Sequence, residues 1–256
     1  MASNLVTQVR NLQRRKGRKR RGLAVAEGVR LVEDALAAGI GIQGAVIGPT
    51  ASTTDRGARL VEQLAAHAVP IEEVTEKALL DLADTDTPQG VLAVIDPPRW
   101  ELDSVQPARG HPVLVLDGVQ DPGNVGTLVR TAFGLGAPGV LVLSGTADLT
   151  NPKVMRAGMG ATFRLPCVPV QDGEFEAWVR RSDVELWAAA VDGVPVTRVE
   201  VSQAVALVIG NEGAGVRPSI RSLARHLVSI PLVRGAESLN VAVAAGILMH
   251  EVRRVG

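Results

Sequence analysis

Three apolar runs in the second half of the chain constrain its fold most: VLVL at 113–116, VLVL at 140–143 and ALVI at 206–209. A strand with one face in water alternates apolar and polar residues, whereas these runs do not alternate, so each needs cover on both faces. A parallel sheet with helices on both sides meets that need. The stretch after the first run has its apolar residues at the spacing of one helix face. We therefore predict an α/β domain built on a parallel sheet.

The first half predicts a second, smaller α/β domain. Between residues 22 and 96, short strands such as GLAVAEG alternate with helical stretches such as VRLVEDALAAG. Residues 96–112 carry four prolines and no regular period, which is typical of a linker. With 256 residues, of which 46% are hydrophobic, the chain can bury two cores. The predicted boundaries are 1–96 for the first domain, 97–110 for the linker and 111–256 for the second domain.

The composition excludes several classes of protein. Cys167 is the single cysteine, which excludes an intrachain disulfide and a cysteine-cluster metal site. Four scattered histidines lack the spacing of metal ligands, so we predict no metal site. The longest apolar run, 241–249, is too short to cross a bilayer, and the N-terminus lacks the apolar core of a secretory signal. We expect a cytoplasmic protein with no membrane partner.

A basic arm lies at residues 10–21, RNLQRRKGRKRR, which hold eight Lys or Arg and no acid. Such a run is either a solvated helix face or tail, or a site where a polyanion relieves the repulsion. We favour nucleic acid, bound through its phosphates, because aromatic residues make up only 2% of the chain and base-stacking platforms need them. The predicted RNA-binding residues are Arg14, Arg15, Lys16, Arg18, Lys19, Arg20 and Arg21.

A first candidate site lies where the strand at 113 gives way to a helix. Asn124 is the predicted N-cap of this helix. Arg130 lies off its apolar stripe, one turn after Gly126, where an arginine over exposed backbone suits a phosphate. The alternative is a solvated surface arginine.

A second candidate site is ALVIGNEGAGV at 206–216, where a buried strand enters a loop with three glycines. Asn211 and Glu212 would lie at the carboxyl end of the strand, where open α/β sheets bind ligands. The alternative is an ordinary turn between a strand and a helix.

A third candidate site is the start of the last helix. Glu237 or Ser238 is predicted to cap that helix, which leaves Arg234 and Asn240 unexplained. Several Ala and Gly residues within the helix allow close packing, inside the domain or against a second subunit.

Three segments, NVGTLVRTA (124–132), LVIGNEGAG (207–215) and IPLVRGAESLNVAVA (230–244), together resemble the three signature motifs of the SpoU, or TrmH-type, RNA 2′-O-ribose methyltransferases of the SPOUT superfamily. The resemblance covers the C-terminal half. PQGVLAVID at 88–96 is similar to the end of the L30e-like RNA-binding domain that many members carry.

The resemblance implies a C-terminal SPOUT domain with a parallel sheet and a deep trefoil knot, plus a smaller N-terminal L30e-like α/β domain. It also implies S-adenosylmethionine bound in the knot, and a homodimer through the C-terminal domain whose active site combines both subunits. The activity implied is methyl transfer to a ribose 2′-hydroxyl, and we favour 23S ribosomal RNA as the substrate. A tRNA ribose methyltransferase and a non-catalytic RNA-binding protein of the same fold remain alternatives.

The resemblance also implies site residues. The catalytic set is Asn124, Arg130, Glu212, Ser238 and Asn240. The cofactor-binding set is Leu143, Gly210, Asn211, Gly213, Ile230, Leu232, Ser238 and Leu239. In the family, the arginine is usually proposed to activate the 2′-hydroxyl. Because arginine stays protonated in proteins, we favour an electrostatic clamp for Arg130.

One position departs from the family pattern. Members commonly have glycine where this chain has Arg234, with Gly235 following. Either the cofactor loop differs locally, or Arg234 reaches outward to RNA phosphate.

Overall fold

The computed structural model describes residues 4–255. The chain divides into two compact units, one formed by Met1–Pro98 with Asp148–Phe163 and the other by Arg99–Ala147 with Arg164–Gly256. Residues 148–163 therefore belong to the first unit, although in sequence they lie inside the domain predicted at 111–256. Most of the predicted linker belongs to the second unit, where Val105 is buried in the core.

The first unit is built on a mixed four-stranded sheet. Its strands are β1 (Ala24–Glu27), β2 (Ile42–Ile47), β3 (Ile71–Glu73) and β4 (Val91–Ile95). Their order is β1-β4-β2-β3, with β4 antiparallel to both neighbours and β2 parallel to β3. The helices are α1 (Asn4–Leu12), α2 (Arg15–Arg21), α3 (Val29–Ala37), α4 (Asp55–Ala66), α5 (Glu76–Leu80) and α7 (Pro152–Gly158). The strands and helices predicted between residues 22 and 96 are confirmed.

Burial on both faces of β4 explains its apolar sequence. Leu92 and Val94 pack with Leu12 of α1 on one face, whereas Ala93 and Ile95 pack in a separate cluster on the other face. That second cluster includes Met155 and Phe163, which lie far along the chain. The segment 148–163 thus contributes apolar side chains to the core of the first unit.

The second unit is built on a six-stranded sheet in which every pair of neighbours is parallel. The strands are β5 (Val113–Asp117), β6 (Val140–Val142), β7 (Cys167–Pro169), β8 (Val184–Pro195), β9 (Ala204–Gly210) and β10 (His226–Ser229). Its helices are α6 (Pro122–Gly134), α8 (Asp172–Arg181), α9 (Pro218–Arg221) and α10 (Val241–Val255). The predicted parallel α/β sheet is confirmed, and β5 is buried at every position.

The strand order places the loops after β5 and β9 side by side. The order is β10-β8-β9-β5-β6-β7, so the chain moves from β5 to β6 on one side and later returns to β9 on the other. Asp117, the last residue of β5, pairs in register with Gly210, the last residue of β9. Loops that leave neighbouring strands in opposite directions form a crevice at the carboxyl edge of a sheet, where α/β proteins bind ligands.

Within residues 4–255, no helix has both the length and the apolar content that a bilayer crossing requires.

Candidate active site at the carboxyl edge of the parallel sheet

The loop after β9 is tightly closed. Asn211 and Gly215 exchange two backbone hydrogen bonds, of 3.0 and 2.9 Å, and the Asn211 Oδ1 accepts from the backbone N–H groups of Gly213 and Ala214 at 3.0 and 2.9 Å. A Cβ added at Gly210 would lie 2.1 Å from the carbonyl carbon of Gly215, so a larger residue at 210 would break the turn. Of the three glycines in this loop, Gly210 is required by close backbone approach and Gly215 by its φ of +72°, whereas Gly213 has room for a side chain.

Glu212 ties this loop to the one after β5. Its carboxylate accepts from the Asn124 Nδ2 at 3.1 Å and from the backbone N–H groups of Gln120 and Asp121 at 3.3 Å each. Burial raises the pKa of Glu212, but the hydrogen bonds from its own backbone, from Asn124 and from the two N–H groups outweigh that effect and bring the pKa below its usual value. Glu212 is therefore a carboxylate anion at neutral pH.

Asn240 extends the same chain of contacts to the last helix. Its Nδ2 donates to the Asn124 Oδ1 at 3.1 Å, while its Oδ1 accepts from the backbone N–H groups of Ala242 and Val243 at 2.9 and 3.4 Å. Asn240 is therefore the side chain that caps α10, and the predicted cap at Glu237 or Ser238 is wrong. Asn240, Asn124 and Glu212 form a continuous hydrogen-bonded chain with one residue from each of the three sequence motifs.

The predicted cap of α6 is also wrong. Asp121 is its N-cap and accepts from the backbone N–H of Asn124 at 2.8 Å, with Pro122 at the first helical position. Because Asp121 performs the capping, the Asn124 side chain is free to join Glu212 to Asn240.

A cavity of about 750 Å³ lies beside this hydrogen-bonded chain. Its walls come from the end of β8, the loop after β9, the segment after β10 and the start of α10. The predicted cofactor-binding residues that line it are Gly210, Asn211, Gly213, Ile230, Leu232, Ser238 and Leu239. Leu143 does not line the cavity, because its side chain is buried in the core of the sheet. Of the predicted catalytic residues, Glu212, Ser238 and Asn240 line it.

The lining combines apolar and charged surface. Ile230, Leu232 and Leu239 give apolar walls, and the glycine-rich turn exposes backbone donors and acceptors. Asp192 and Arg221 form an ion pair of 2.6 Å at the edge, and Glu237 adds a second carboxylate. Such a cavity suits a ligand with both a flat apolar part and a charged part.

Arg130 lies apart from the cavity. It is exposed on α6 and is not among the residues that line the cavity. Within the part of the chain that the structure describes, its guanidinium has no hydrogen-bond or ion-pair partner. A single chain therefore joins Asn124, Glu212 and Asn240, with Ser238 at the same cavity, but does not bring Arg130 to them.

Arg234 is also exposed and outside the cavity lining. Gly235, which follows it, has a φ of +92°, a conformation that favours glycine. The exposed position of Arg234 allows an outward-facing side chain, and the positive φ of Gly235 shows that glycine is required one residue after Arg234 in this loop.

An ion-pair cluster that the sequence did not predict holds the exit of the β9 loop. Asp117 is fully buried and accepts from the Arg217 backbone N–H at 2.8 Å and from its Nε at 2.5 Å. The same guanidinium donates to both carboxylate oxygens of Asp172, at 2.8 and 3.0 Å. These hydrogen bonds, those to Asp172 first, raise the pKa of Arg217 above its usual value. An acid at the end of an apolar strand was a usable signal for Asp117, whereas nothing in the sequence identified its partner.

Six of the seven predicted RNA-binding cations are exposed, but Arg18 is not. Its side chain is 4% exposed and forms an ion pair with Asp148 at 2.9 Å. This burial removes Arg18 from the set that can contact a partner directly, because its donors are already used inside the fold.

Comparison with known proteins agrees with this fold. Residues 111–250 match the SpoU rRNA Methylase family, and residues 3–93 match the MRM3-like substrate binding domain. The chain is 37% identical to the 23S rRNA (guanosine(2553)-2′-O)-methyltransferase RlmP of Bacillus subtilis, over 70% of this chain and 71% of that protein.

Solved structures show the same likeness. An AdoMet-bound rRNA methyltransferase from Sinorhizobium meliloti superimposes with a TM-score of 0.87 at 32% identity, covering 99% of this chain and 95% of that one. The SpoU methyltransferase AviRb from Streptomyces viridochromogenes, in complex with AdoMet, gives a TM-score of 0.86 at 29% identity, covering 98% and 97%. The fold and these relatives define an α/β protein of the methyltransferase class. The chain belongs to the SpoU rRNA methylase family.

Proposed function

We propose that this protein transfers a methyl group from S-adenosylmethionine to a ribose 2′-hydroxyl of ribosomal RNA, with 23S rRNA as the substrate. The observation that carries the proposal is the hydrogen-bonded chain Asn240–Asn124–Glu212, which joins the three motifs at the rim of one cavity. Membership of the family and the 23S rRNA 2′-O-methyltransferases among its relatives support the same reaction.

The cavity fits the proposed cofactor. Its apolar walls suit an adenine ring, and the exposed backbone of the β9 loop can hydrogen-bond the ring edge and the ribose. The residues that would hold the cofactor are Gly210, Asn211, Gly213, Ile230, Leu232, Ser238 and Leu239. When bound, S-adenosylmethionine supplies a methyl group on a positively charged sulfur, which is a good leaving group.

The contribution of the three-motif chain is to fix geometry. Glu212, as an anion that accepts from two backbone N–H groups of the β5 loop and from Asn124 of α6, holds the β9 loop against Asn124. Asn240 fixes the start of α10 against the same side chain. In-line transfer needs the attacking oxygen held within a narrow range of angle and distance, and such positioning supplies a large part of the rate.

Arg130 completes the site in this proposal from a second copy of the chain. Its guanidinium stays protonated, so we assign it the clamping of the nucleotide phosphate and the stabilisation of the developing alkoxide, and the 2′-hydroxyl proton would pass to solvent water. The proposal includes a homodimer through the C-terminal domain. It is supported by the exposed apolar side chains of Phe133 on α6 and of Val243 and Ile247 on α10, two helices that pack together.

The proposal also includes a deep trefoil knot at the C-terminal end of the second domain. The segment after β10 and the loop after β9 line the same cavity, and α10 then packs against α6. The N-terminal domain, predicted at 1–96 and completed in the fold by 148–163, would bind the RNA. Residues 97–110 would lead into the methyltransferase domain formed by the rest of 111–256, in a cytoplasmic protein.

The test is methyl transfer to a 23S rRNA transcript, followed by digestion to nucleosides and mass spectrometry. Wild-type protein should produce one 2′-O-methylated nucleoside. Gly213→Trp should bind S-adenosylmethionine weakly in calorimetry and transfer no methyl group. A Cβ at 213 meets nothing closer than 3.7 Å and Gly213 lines the cavity, so we expect the indole to occupy cavity space without displacing the loop backbone.

Arg180→Ala serves as the control, because Arg180 is exposed and, among the described residues, pairs with Glu176 of its own helix alone. It should bind cofactor and transfer methyl groups like the wild type. Cofactor binding without any transfer would favour the non-catalytic RNA-binding protein. A methylated base, or a methylated tRNA ribose with no rRNA product, would contradict the proposal.

A further inference from the structure

Arg18 is bound from two sides inside the first unit. Its Nη2 and Nε donate to the Asp148 Oδ2 at 2.9 and 3.2 Å, and the Nε also lies 3.2 Å from the Thr150 Oγ1. Its Nη1 donates to the backbone carbonyls of Leu12 and Gln13, at the end of α1, at 3.1 and 2.9 Å. The guanidinium therefore connects α1, α2 and the segment that begins at Asp148.

The helix α2 has low intrinsic stability. It has seven residues, whereas isolated helices need roughly 12–15 to be even marginally stable. Its N-cap Arg14 makes no capping bond, its first turn has no acid, and cations four apart, such as Arg15 and Lys19, repel each other. Only Gly17 and Arg18 in this helix are buried. The helix therefore depends on the contacts made at those two positions.

The partner acid is itself oriented. The backbone N–H and the Oγ1 of Thr150 donate to the Asp148 Oδ1 at 3.0 and 2.8 Å, which leaves Oδ2 for Arg18. Both residues lie within the 111–250 region that matches the methylase family, yet they pack with the N-terminal unit. The methylase part of the sequence thus supplies the acid that holds the basic arm.

We propose that the Arg18–Asp148 ion pair is a latch that orders α2, so that its exposed cations form a fixed face for RNA phosphates. Of the six exposed cations, Arg14 and Arg21 stand at the two ends of the helix, and Arg15, Lys16, Lys19 and Arg20 share the side opposite Gly17 and Arg18. The inference rests on the proposed function as an RNA methyltransferase. An ordered array contacts several phosphates at once and releases their counterions, whereas a disordered arm loses part of that gain to chain entropy. Arg18 acts as a positioning residue and does not contact the RNA.

The latch and simple electrostatics predict opposite changes in RNA affinity when the charge of Asp148 is removed. Removing an acid near a basic arm ordinarily strengthens binding to a polyanion. If Arg18 contacted RNA directly, Asp148→Asn would also release it and strengthen binding. With the latch, Asp148→Asn weakens RNA binding, because the six exposed cations lose their common support.

The experiment measures the Kd of full-length protein for a 23S rRNA transcript at several KCl concentrations. Asp148→Asn and Arg18→Met should each weaken binding by roughly fivefold to tenfold near 0.1 M salt, which corresponds to the loss of about one phosphate contact. Each should also reduce the slope of log K against log salt by about one. Thr150→Val removes the Oγ1 hydrogen bond that orients Asp148 and the Oγ1 contact with the Arg18 Nε, but it keeps the Asp148 carboxylate, so it should weaken binding less.

Asp86→Asn is the matched control, since Asp86 is an exposed acid of the same unit. It should bind RNA as the wild type does, or slightly tighter. Circular dichroism shows whether each variant folds. If Asp148→Asn does not fold, the RNA affinity of Thr150→Val tests the latch in its place. Wild-type or tighter binding by Asp148→Asn, or by Thr150→Val in its place, overturns the latch. A wild-type protein that shows no salt-dependent RNA binding overturns the proposed function instead.

Discussion

At the residue scale, the Asn240 side chain makes two separate contacts, and a substitution can remove one of them and keep the other. Its Oδ1 caps α10, and its Nδ2 holds Asn124. Asparagine is one of few side chains that can accept from a helix N-terminus and donate elsewhere at the same time. The sequence could not assign the cap, because Ser238 and Asn240 are both N-cap types two positions apart and only the helix start at Val241 decides between them.

Asn240→Asp and Asn240→Ala test this division. Aspartate keeps the capping oxygen but has no donor for Asn124, so it should change the free energy of unfolding little and still lower the methyl-transfer rate. Alanine has neither the capping oxygen nor the donor. It should therefore lower the free energy of unfolding by about 1 kcal/mol and also lower the methyl-transfer rate. Urea unfolding and initial rates measure the two effects. An Asp variant with wild-type activity would remove the Asn240–Asn124 bond from the function.

The lowered pKa of Asp148 predicts that the free energy of unfolding depends on pH. Burial raises the pKa of Asp148, but the hydrogen bonds from Thr150 and Arg18 outweigh it and bring the pKa below its usual value. A carboxyl whose pKa is lowered by folding stabilises the protein fully above its unfolded pKa, about 3.9, and loses that contribution as the pH falls through its folded pKa.

The stability difference between the wild type and Asp148→Asn should therefore be constant from about pH 5 to 7 and shrink below about pH 4. Urea unfolding followed by circular dichroism at these pH values measures it. A difference that stays the same, or grows, toward acid would show that the ionised form of Asp148 is not what stabilises the fold.

At the element scale, the β9 loop is held at both ends. The hydrogen bonds of the sheet fix its start, and the Arg217–Asp117 pair fixes its exit. The loop lines the cavity, so its stability should decide how well a cofactor binds. Asp117 is fully buried, and both of its carboxylate oxygens accept hydrogen bonds from Arg217. Loss of Arg217 would therefore leave a buried carboxylate without these hydrogen bonds.

Arg217→Met should raise the Kd for S-adenosylmethionine and lower the free energy of unfolding by about 3 kcal/mol, because it removes the charge that compensates a buried carboxylate. Adding Asp117→Asn should recover part of the stability, since no uncompensated charge then remains. Arg180→Met is the control and should change neither quantity. Cofactor affinity unchanged in a folded Arg217→Met variant would mean that the loop needs no such support.

Most elements could be predicted because their signals are local. The apolar runs of β5 and β9 and the spacing on α6 and α10 depend only on neighbours in sequence. Helix α8, DGEFEAWVRR, was missed because only Phe175 and Trp178 are buried in a mainly polar segment. Pairs such as Arg18 with Asp148 could not be predicted, because the charge of one residue says nothing about a partner 130 positions away.

At the scale of the whole molecule, one chain supplies only part of the proposed site. The motif residues Asn124, Glu212 and Asn240 meet at the cavity, whereas Arg130 is exposed on α6 away from its lining. The family resemblance implied a shared site, and the apolar exposed faces of α6 and α10 offer the surface on which two copies would meet. The motifs could be found in the sequence. The fold was needed to show which motif residues meet within one chain.

Subunit complementation tests this account most directly. Arg130→Ala keeps an intact cavity but lacks the arginine, and Gly213→Trp keeps the arginine but has a filled cavity, so each alone should transfer almost no methyl groups. After the two are mixed, with exchange of subunits, half of the dimers should contain both chains, each with one complete site. Methyl transfer to the rRNA transcript should then recover to roughly a quarter of the wild-type rate. A mixture as inactive as its components, with mixed dimers demonstrated by mass spectrometry, would contradict a site built from the motifs of one chain and the Arg130 of another.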